Sequence, residues 1–177
     1  MAATNVMCHE RFRAGPATRL DRTRPGYRLA MAYNCLRFGA PADQVFDVLT
    51  DPGRYPRWLV GAKRIRNVEP GWPVPGSRFH HRVGAGPLVI HDHTEVLAID
   101  RPRHLQLSVR ASPLVRAVVD FELVADGAET VVCMQEEPAE RLVGNLVRPV
   151  LDPVTHVRNQ RSLQRLAEVV RLDAAGA

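Results

Sequence analysis

The sequence predicts an α+β fold in which a curved antiparallel sheet of about seven strands surrounds one long C-terminal helix. Two observations predict it. The middle of the chain consists of strand-like runs separated by turn residues at intervals of about 8–12 residues. The last third is one long amphipathic helical pattern. Because a lone helix must bury its apolar side, and these strands are the only large partner surface, we expect a wrapped sheet with space for a cavity beside the helix.

The first elements are a strand and two short helices. Residues 32–38 alternate loosely, with Tyr33, Cys35 and Arg37 on one face, and Gly39-Ala40-Pro41 ends the strand. Pro41 is well placed to open a helix, which Asp51-Pro52-Gly53 then ends. A second short helical turn is predicted over 54–59, and it carries Tyr55 and Trp58.

A meander of six strands follows. The turns contain Gly, Pro or Asp, as at Asp100-Arg101-Pro102 and Ala125-Asp126-Gly127, which are residues that reverse a chain. The strands are predicted over 63–68, 77–83, 88–99, 105–110, 114–124 and 129–136.

The C-terminal helical pattern contains Pro149 and Pro153. A proline inside a helix removes a hydrogen bond, and Asp152-Pro153 has the form of an N-cap followed by a first-turn proline. We therefore expect a short helix over 140–148, a kink or break, and the main helix over 153–172. The predicted apolar side comprises Leu142, Val143, Leu146, Val147, Val150, Leu151, Val154, Val157, Leu163, Leu166, Val169 and Val170.

Length and charge define the domain organisation. The 177 residues suffice for one domain, predicted over 31–172, with a flexible C-terminus over 173–177. Residues 1–30 carry six arginines against two acidic residues, and we predict a disordered basic tail; Met31 is an alternative start. The remaining residues carry 18 basic and 17 acidic side chains, so no nucleic-acid partner is expected.

Two further features bear on the compartment. No apolar run approaches the ~20 residues of a membrane-spanning helix, so no integral membrane segment is expected. Cys8, Cys35 and Cys133 are an odd number without metal-type spacing, which favours reduced thiols in a cytoplasmic protein. The sequence carries no signal for a particular oligomeric state.

Several short segments, taken in order, carry a family resemblance. They are the run 41–52 (PADQVFDVLTDP), then Arg54-Tyr55-Pro56-Arg57-Trp58, Gly76, Val96 with Asp100-Arg101-Pro102, Thr130 with Val132 and Glu136, and Arg158-Asn159 before Ser162-Leu163 and Leu166. In this order the chain, over about residues 31–172, resembles the polyketide cyclase/dehydrase-like branch of the START-like (SRPBCC) superfamily. The resemblance implies the helix-grip fold, a cavity for a hydrophobic or aromatic small molecule, and no cofactor.

Four histidines, with Asp92 and Glu95 close to them, raise the question of a metal site; they are His80, His81, His91 and His93. His91, His93 and Glu95 share one face of a strand, because residues two apart point the same way. They are interpreted as surface or pocket-rim groups, as polar groups of a pocket or, least favoured, as a metal site. His81 alternates in phase with Phe79 and is the candidate catalytic residue; the alternative is a core histidine with satisfied hydrogen bonds.

The remaining candidate ligand-binding residues are aromatic side chains and a predicted ion pair. Glu136 has the same parity as Met134, so its carboxylate is expected to face inward, where Arg158 could pair with it beside Asn159. The alternative is that both charges are solvated. Tyr55 and Trp58, with Trp72, are expected to be core or lid residues or direct ligand contacts. The predicted ligand-binding set is Tyr55, Trp58, Phe79, His81, Met134, Glu136, Arg158 and Asn159.

Three functional hypotheses follow. The favoured one is a binding protein that holds a lipid-, quinone- or polyketide-like molecule between sheet and helix. The second is a polyketide cyclase/dehydratase-type enzyme that uses a pocket polar residue such as His81 for proton transfer. The third is an interaction module whose cavity is filled by side chains. The sequence lacks a phosphate-binding glycine loop, a nucleophile elbow and a paired-cysteine motif.

Overall fold

One seven-stranded antiparallel sheet forms the framework. The computed structural model describes residues 32–85, 88–112, 115–139 and 141–176, so the predicted basic tail lies outside the described residues. The strands lie in the spatial order β1-β7-β6-β5-β4-β3-β2, and each neighbouring pair is antiparallel. The elements are β1 (Ala32–Phe38), α1 (Ala42–Thr50), a 3₁₀ turn (Pro52–Arg54), α2 (Tyr55–Trp58), β2 (Ala62–Val68), β3 (Arg78–Ala85), β4 (Leu88–Asp100), β5 (His104–Ser112), β6 (Val115–Asp126), β7 (Glu129–Pro138) and α3 (Arg141–Gly176).

The sheet has one buried face, and strand alternation decides which side chains line it. On β1, Asn34 and Phe38 are buried while Arg37 is exposed, so the predicted division of this strand into two faces is confirmed. The same alternation buries Phe79 and His81 on β3. The other inward side chains are Asp92, Thr94, Val96, Leu105, Leu107, Val119, Phe121, Leu123, Val132, Met134 and Glu136.

Helices α1 and α2 contribute a large part of the core. Pro41 is the N-cap of α1, and Val45, Phe46 and Leu49 are fully buried. The turn after α1 is fixed by Asp51, whose carboxylate accepts a hydrogen bond from the Gly53 amide at 2.9 Å. These contacts place the aromatic residues of α2 against the inner face of the sheet.

Helix α3 corrects two predictions. It is one continuous helix, so the break expected at the two prolines is absent. Pro153 lies on an exposed side, where water can satisfy the carbonyl group that the proline leaves without a donor. Val154 and Val157, predicted to lie on the apolar side, are 64% and 46% exposed.

The buried side of α3 is partly polar. Its described members are Thr155, Asn159, Ser162, Leu163, Leu166, Val169 and Val170, which recur at spacings of three and four residues. Packing of the leucines fixes the rotation of the helix, and Val154 and Val157 then point away from the sheet. The predicted apolar residues from Leu142 to Leu151 have side chains outside the described part of the chain.

A disulfide overturns the prediction of reduced thiols for two of the three cysteines. Cys35 on β1 and Cys133 on β7 lie directly opposite each other and are bonded, with Cα atoms 4.1 Å apart. Their separation of 98 residues hid this pairing, because strand register cannot be read from spacing. Structural disulfides persist in oxidising compartments, so the bond argues against the predicted cytoplasmic location. Cys8 lies outside the described residues.

No helix in the described parts of the chain combines the length and the apolar character needed to cross a membrane.

Candidate functional site

A contiguous aromatic cluster lies between α2 and the inner face of the sheet. The Tyr55 ring is 4.8 Å from that of Trp58 and 4.6 Å from that of Phe79, centroid to centroid. Trp72 packs edge-on against Phe79 at 4.7 Å and donates its indole N–H to the Thr50 carbonyl at 2.6 Å. Tyr55 and Trp58 are each 1% exposed, so both belong to the core rather than to a lid.

His81 continues this cluster along β3. Its ring lies 5.2 Å from the Phe79 ring, and the residue is 1% exposed. Neither ring nitrogen has a hydrogen-bond partner among the described residues, so the described contacts give no support to the alternative of a satisfied core histidine. Burial, together with the charges of His80 and His93, lowers the pKa of His81 to about 4. His81 is therefore neutral near pH 7, with one ring nitrogen as donor and the other as acceptor.

Asp92 is the site residue that sequence reasoning placed only among metal candidates. It lies directly opposite His81 in the β3–β4 ladder and is 5% exposed. Its Oδ1 accepts a hydrogen bond from the His93 amide at 2.7 Å, while Oδ2 has no partner in the described residues. Burial raises the pKa of Asp92 to about 6, against the lowering effects of that hydrogen bond and the Arg110 charge. The sequence could have indicated its burial, because Asp92, Thr94 and Val96 alternate along β4 and therefore share one face.

Two members of the predicted metal set, His93 and Glu95, lie on the other face of β4. Glu95 accepts a hydrogen bond from Arg78 Nε at 2.8 Å, and the His93 ring lies 6.0 Å from that of His80. The His91 side chain lies outside the described part of the structure. Among the side chains that are described, no three His, Cys, Asp or Glu residues come together as metal ligands.

Glu136, Arg158 and Asn159 form the second polar group, where β7 meets α3. Glu136 Oε2 accepts hydrogen bonds from Arg158 Nη2 and, at 2.9 Å, from Asn159 Nδ2. Arg158 also donates to Asn159 Oδ1 from Nε at 3.2 Å and from Nη2 at 3.1 Å. Asn159 is fully buried, Glu136 is 6% exposed, and the Arg158 side chain is partly exposed. The predicted pair is thus present and compensates the buried carboxylate.

Further polar contacts attach α3 to the rest of the domain. Ser162 Oγ donates to the Arg158 carbonyl at 3.0 Å and accepts from the Val60 amide at 3.1 Å. Asn34 Nδ2 donates to the His156 carbonyl at 3.3 Å. Met134 is 2% exposed and lies on the same face of β7 as Glu136. The predicted ligand-binding residues on this side therefore line the junction between sheet and helix.

Several buried polar atoms have no hydrogen-bond partner within the described residues. Besides those of His81 and Asp92, they include the Tyr55 hydroxyl and the Trp58 indole N–H. Burial alone raises the pKa of the Tyr55 hydroxyl, which therefore remains protonated near pH 7. The ring contacts connect Trp58, Tyr55, Phe79 and His81 into one row. The inner face thus presents hydrogen-bond donors and acceptors among apolar walls.

A separate depression of about 310 Å³ lies at the β2 edge of the sheet. It is lined by Arg64, Ile65, Arg66 and Arg82. Arg64 and Arg82 lie directly opposite each other in the β2–β3 ladder and are both exposed. Its arginines would favour an anion, but its solvent-exposed walls distinguish it from the interior cluster, which holds the buried polar atoms.

Comparison with solved structures confirms the architecture. The Zhui aromatase/cyclase from Streptomyces sp. R1128 has a TM-score of 0.63 and 16% identity, with 79% of this chain and 92% of that chain covered. A norcoclaurine synthase point mutant from Thalictrum flavum has a TM-score of 0.58 and 15% identity, with 80% of this chain and 94% of that chain covered. A protein from Nitrosomonas europaea has a TM-score of 0.59 and 18% identity, with 82% of this chain and 98% of that chain covered. These likenesses establish the helix-grip fold.

Sequence comparison gives the family. A search of curated protein sequences finds no match. The family model described as polyketide cyclase/dehydrase and lipid transport matches residues 37–171, which is most of the chain. The chain therefore belongs to this START-like (SRPBCC) family, as the segments from Pro41 to Leu166 indicated.

Proposed function

We propose that this domain binds a hydrophobic or aromatic small molecule between the inner face of the sheet and α3. The observation that carries the proposal is the set of buried polar atoms on His81, Asp92, Tyr55 and Trp58 that have no partner among the described residues. Proteins rarely leave such atoms unsatisfied, and each one costs about 1–3 kcal/mol. A ligand that enters the cluster would supply the missing partners and bury its apolar part against the aromatic rings.

The proposed contacts divide into two groups. Tyr55, Trp58, Phe79 and His81 provide aromatic walls and hydrogen-bonding atoms on the β3 side. Met134, Glu136, Arg158 and Asn159 provide the α3 side, where the existing hydrogen bonds occupy Arg158 Nε and Nη2. The second guanidinium nitrogen, Nη1, would be available to a polar group of the ligand. An amphipathic molecule with an apolar body fits this arrangement.

Thermal unfolding tests the proposal. Binding to the native state raises the melting temperature by an amount that grows with the logarithm of the ligand concentration relative to Kd. We would screen oleate, a short-chain ubiquinone and emodin, as representatives of lipids, quinones and aromatic polyketides. At least one should raise the melting temperature by several degrees. If none does, the binding proposal is wrong and an interaction module with a filled interior becomes the better description.

His80 and His81 offer a matched control for this screen. The two are neighbours on β3, but His81 is buried on the inner face and the His80 ring lies on the outer face beside His93. His81→Ala should reduce the ligand-induced shift, whereas His80→Ala should leave it unchanged. Equal effects of both variants would place the ligand elsewhere.

A proton-transfer enzyme of the cyclase/dehydratase type is the second candidate, and the environment of Asp92 favours it. A general base works best when its pKa lies near the working pH, and the pKa of Asp92, about 6, meets this condition better than that of His81. Such an enzyme would accelerate the exchange of the α-protons of a bound β-diketone with solvent. NMR in D₂O would measure the exchange rate against the rate without protein, and Asp92→Asn should remove the acceleration. A carrier protein would bind the diketone without accelerating the exchange.

A further inference from the structure

We propose that Asp92 and His81 together select ligands that carry a hydroxyl group, so that the interior site prefers a phenol or an enol to the corresponding hydrocarbon or ether. The inference deepens the proposed function and rests on it. It assigns Asp92 the role of acceptor and His81 the role of donor for one and the same ligand oxygen.

The strand register brings the two side chains together. His81 and Asp92 are paired directly across β3 and β4, and both point to the buried face. Cβ atoms of residues directly opposite in an antiparallel pair are about 4.5–5.5 Å apart. The imidazole and the carboxylate are therefore neighbours on the inner face.

Specific hydrogen-bonding atoms of Asp92 and His81 have no partner among the described residues. Asp92 Oδ1 is occupied by the His93 amide, and Oδ2 is unoccupied. Both nitrogens of His81 are without partners in the described residues, so the two side chains do not bond to each other. One carboxylate oxygen and one imidazole N–H are thus free on the same side of the sheet, and both are shielded from solvent.

A hydroxyl group meets both requirements at once. Its O–H donates to Asp92 Oδ2, and its oxygen accepts from the His81 ring N–H. An ether or carbonyl oxygen can only accept, so it would leave the carboxylate unsatisfied and place lone pairs against it. An ammonium group could donate to both Asp92 and the acceptor nitrogen of His81, but the Arg110 charge near Asp92 opposes a cation at this position.

The test compares three ligands that share one ring system. 2-Naphthol, 2-methoxynaphthalene and naphthalene would be titrated into the full chain by isothermal calorimetry at pH 7.5. A hydrogen bond to a charged acceptor corresponds to roughly tenfold or more in affinity, so 2-naphthol should bind at least about tenfold more tightly than the other two. Asp92→Leu and His81→Leu should each reduce this preference to about twofold or less.

His80→Leu is the matched control, because it removes an imidazole from the outer face of the same strand. It should retain the full preference for 2-naphthol. A measurement on the unmodified protein tests the inference even if a variant fails to fold. The ¹⁵N resonances of the His81 ring should shift on addition of 2-naphthol and remain in place with 2-methoxynaphthalene.

The outcomes separate this inference from the proposed function. If all three ligands bind equally well, or if the variants keep the preference for 2-naphthol, hydroxyl selection by this pair is wrong while the binding function stands. If none of the three binds, and the lipid and quinone screen is also negative, the binding function itself fails. An unshifted His81 ring with bound 2-naphthol would likewise overturn the inference.

Discussion

A buried carboxylate without a cationic partner in contact is unusual, and Asp92 has this character. Its described hydrogen bond comes from a backbone amide rather than from an arginine or lysine side chain. A buried charge that is incompletely compensated destabilises the native state. The cluster of Glu136, Arg158 and Asn159 shows the opposite case within the same domain, because there both donors converge on one carboxylate oxygen. The contrast makes Asp92 a candidate for binding or chemistry, because its burial costs stability.

Asp92→Asn is expected to stabilise the protein at alkaline pH. The pKa of Asp92 is about 6 in the folded state, above its ordinary value of 3.8, so the folded state favours the protonated form. Stability is therefore lost as the pH rises from about 4 to about 6, and the loss is complete above that range. We expect Asn to recover about 1–2 kcal/mol at pH 8.

Urea unfolding of both proteins at pH 8 and pH 4 would measure this effect. The gain should disappear at pH 4, where the native carboxyl group is protonated. His81, Arg110 and the His93 amide face or neighbour this carboxylate, and the comparison keeps all three. An equal gain at both pH values would show that the charge of Asp92 is not the cause.

Arg158→Leu should destabilise the fold by about 2–3 kcal/mol, because it leaves the Glu136 carboxylate buried without its cation. Combining it with Glu136→Leu should recover part of the loss. Chemical denaturation of the four proteins gives the coupling energy, for which we expect about 1–3 kcal/mol. Arg171→Leu is the control on the same helix, since Arg171 pairs with exposed Glu168 and should matter little. Additive effects would contradict the proposed coupling.

Among the elements, β1 depends on its pairing with β7. It is an edge strand of the sheet, and the Cys35–Cys133 bond joins it covalently to its neighbour. Helix α3 also contacts β1, so the position of this strand affects both sides of the predicted cavity. The disulfide therefore stabilises an edge that would otherwise be held by one hydrogen-bond ladder.

Cys35→Ala is predicted to lower the unfolding free energy by about 2–4 kcal/mol, because a crosslink over 98 residues restricts the unfolded chain. Urea denaturation would measure the change. Cys8→Ala is the matched control and should have no effect, since it leaves both partners of the disulfide in place. If thiol titration of the unfolded, unreduced protein finds three free thiols, the bond is absent and the prediction fails.

The rotation of α3 is tested by two of its apolar residues. Leu166 is fully buried, so Leu166→Ala should cost about 2–5 kcal/mol. Val154 is 64% exposed, so Val154→Ala should change stability by less than about 0.5 kcal/mol. Thermal or urea unfolding distinguishes these values readily. A large loss of unfolding free energy for Val154→Ala would show that Val154 lies on the buried side of α3, as its residue type predicts.

At the scale of the whole molecule, the fold and the site carry different information. The helix-grip architecture is shared with solved structures that are only 15–18% identical to this chain, among them an aromatase/cyclase and a norcoclaurine synthase. A fold preserved at this distance does not fix a substrate, because function depends on the side chains that line the site. The orphaned polar atoms of His81 and Asp92 are therefore better evidence about the ligand than the shared architecture is.

Sequence patterns were sufficient to predict the order of strands and helices, the inward direction of His81 and Glu136, and the family. These features depend on local periodicity and turn residues, which each segment carries independently of the others. The Glu136–Arg158 pair was also within reach, because strand parity and the cost of a buried carboxylate both indicated it.

Four features became visible only in the folded structure. They are the pairing of His81 with Asp92, the Cys35–Cys133 bond, the continuity of α3 and the exposure of Val154. Each of these depends on strand register or on helix rotation, which are set by packing between segments far apart in the chain. A shift of one residue in register reverses the face of every side chain on a strand, so spacing within one segment could not reveal them.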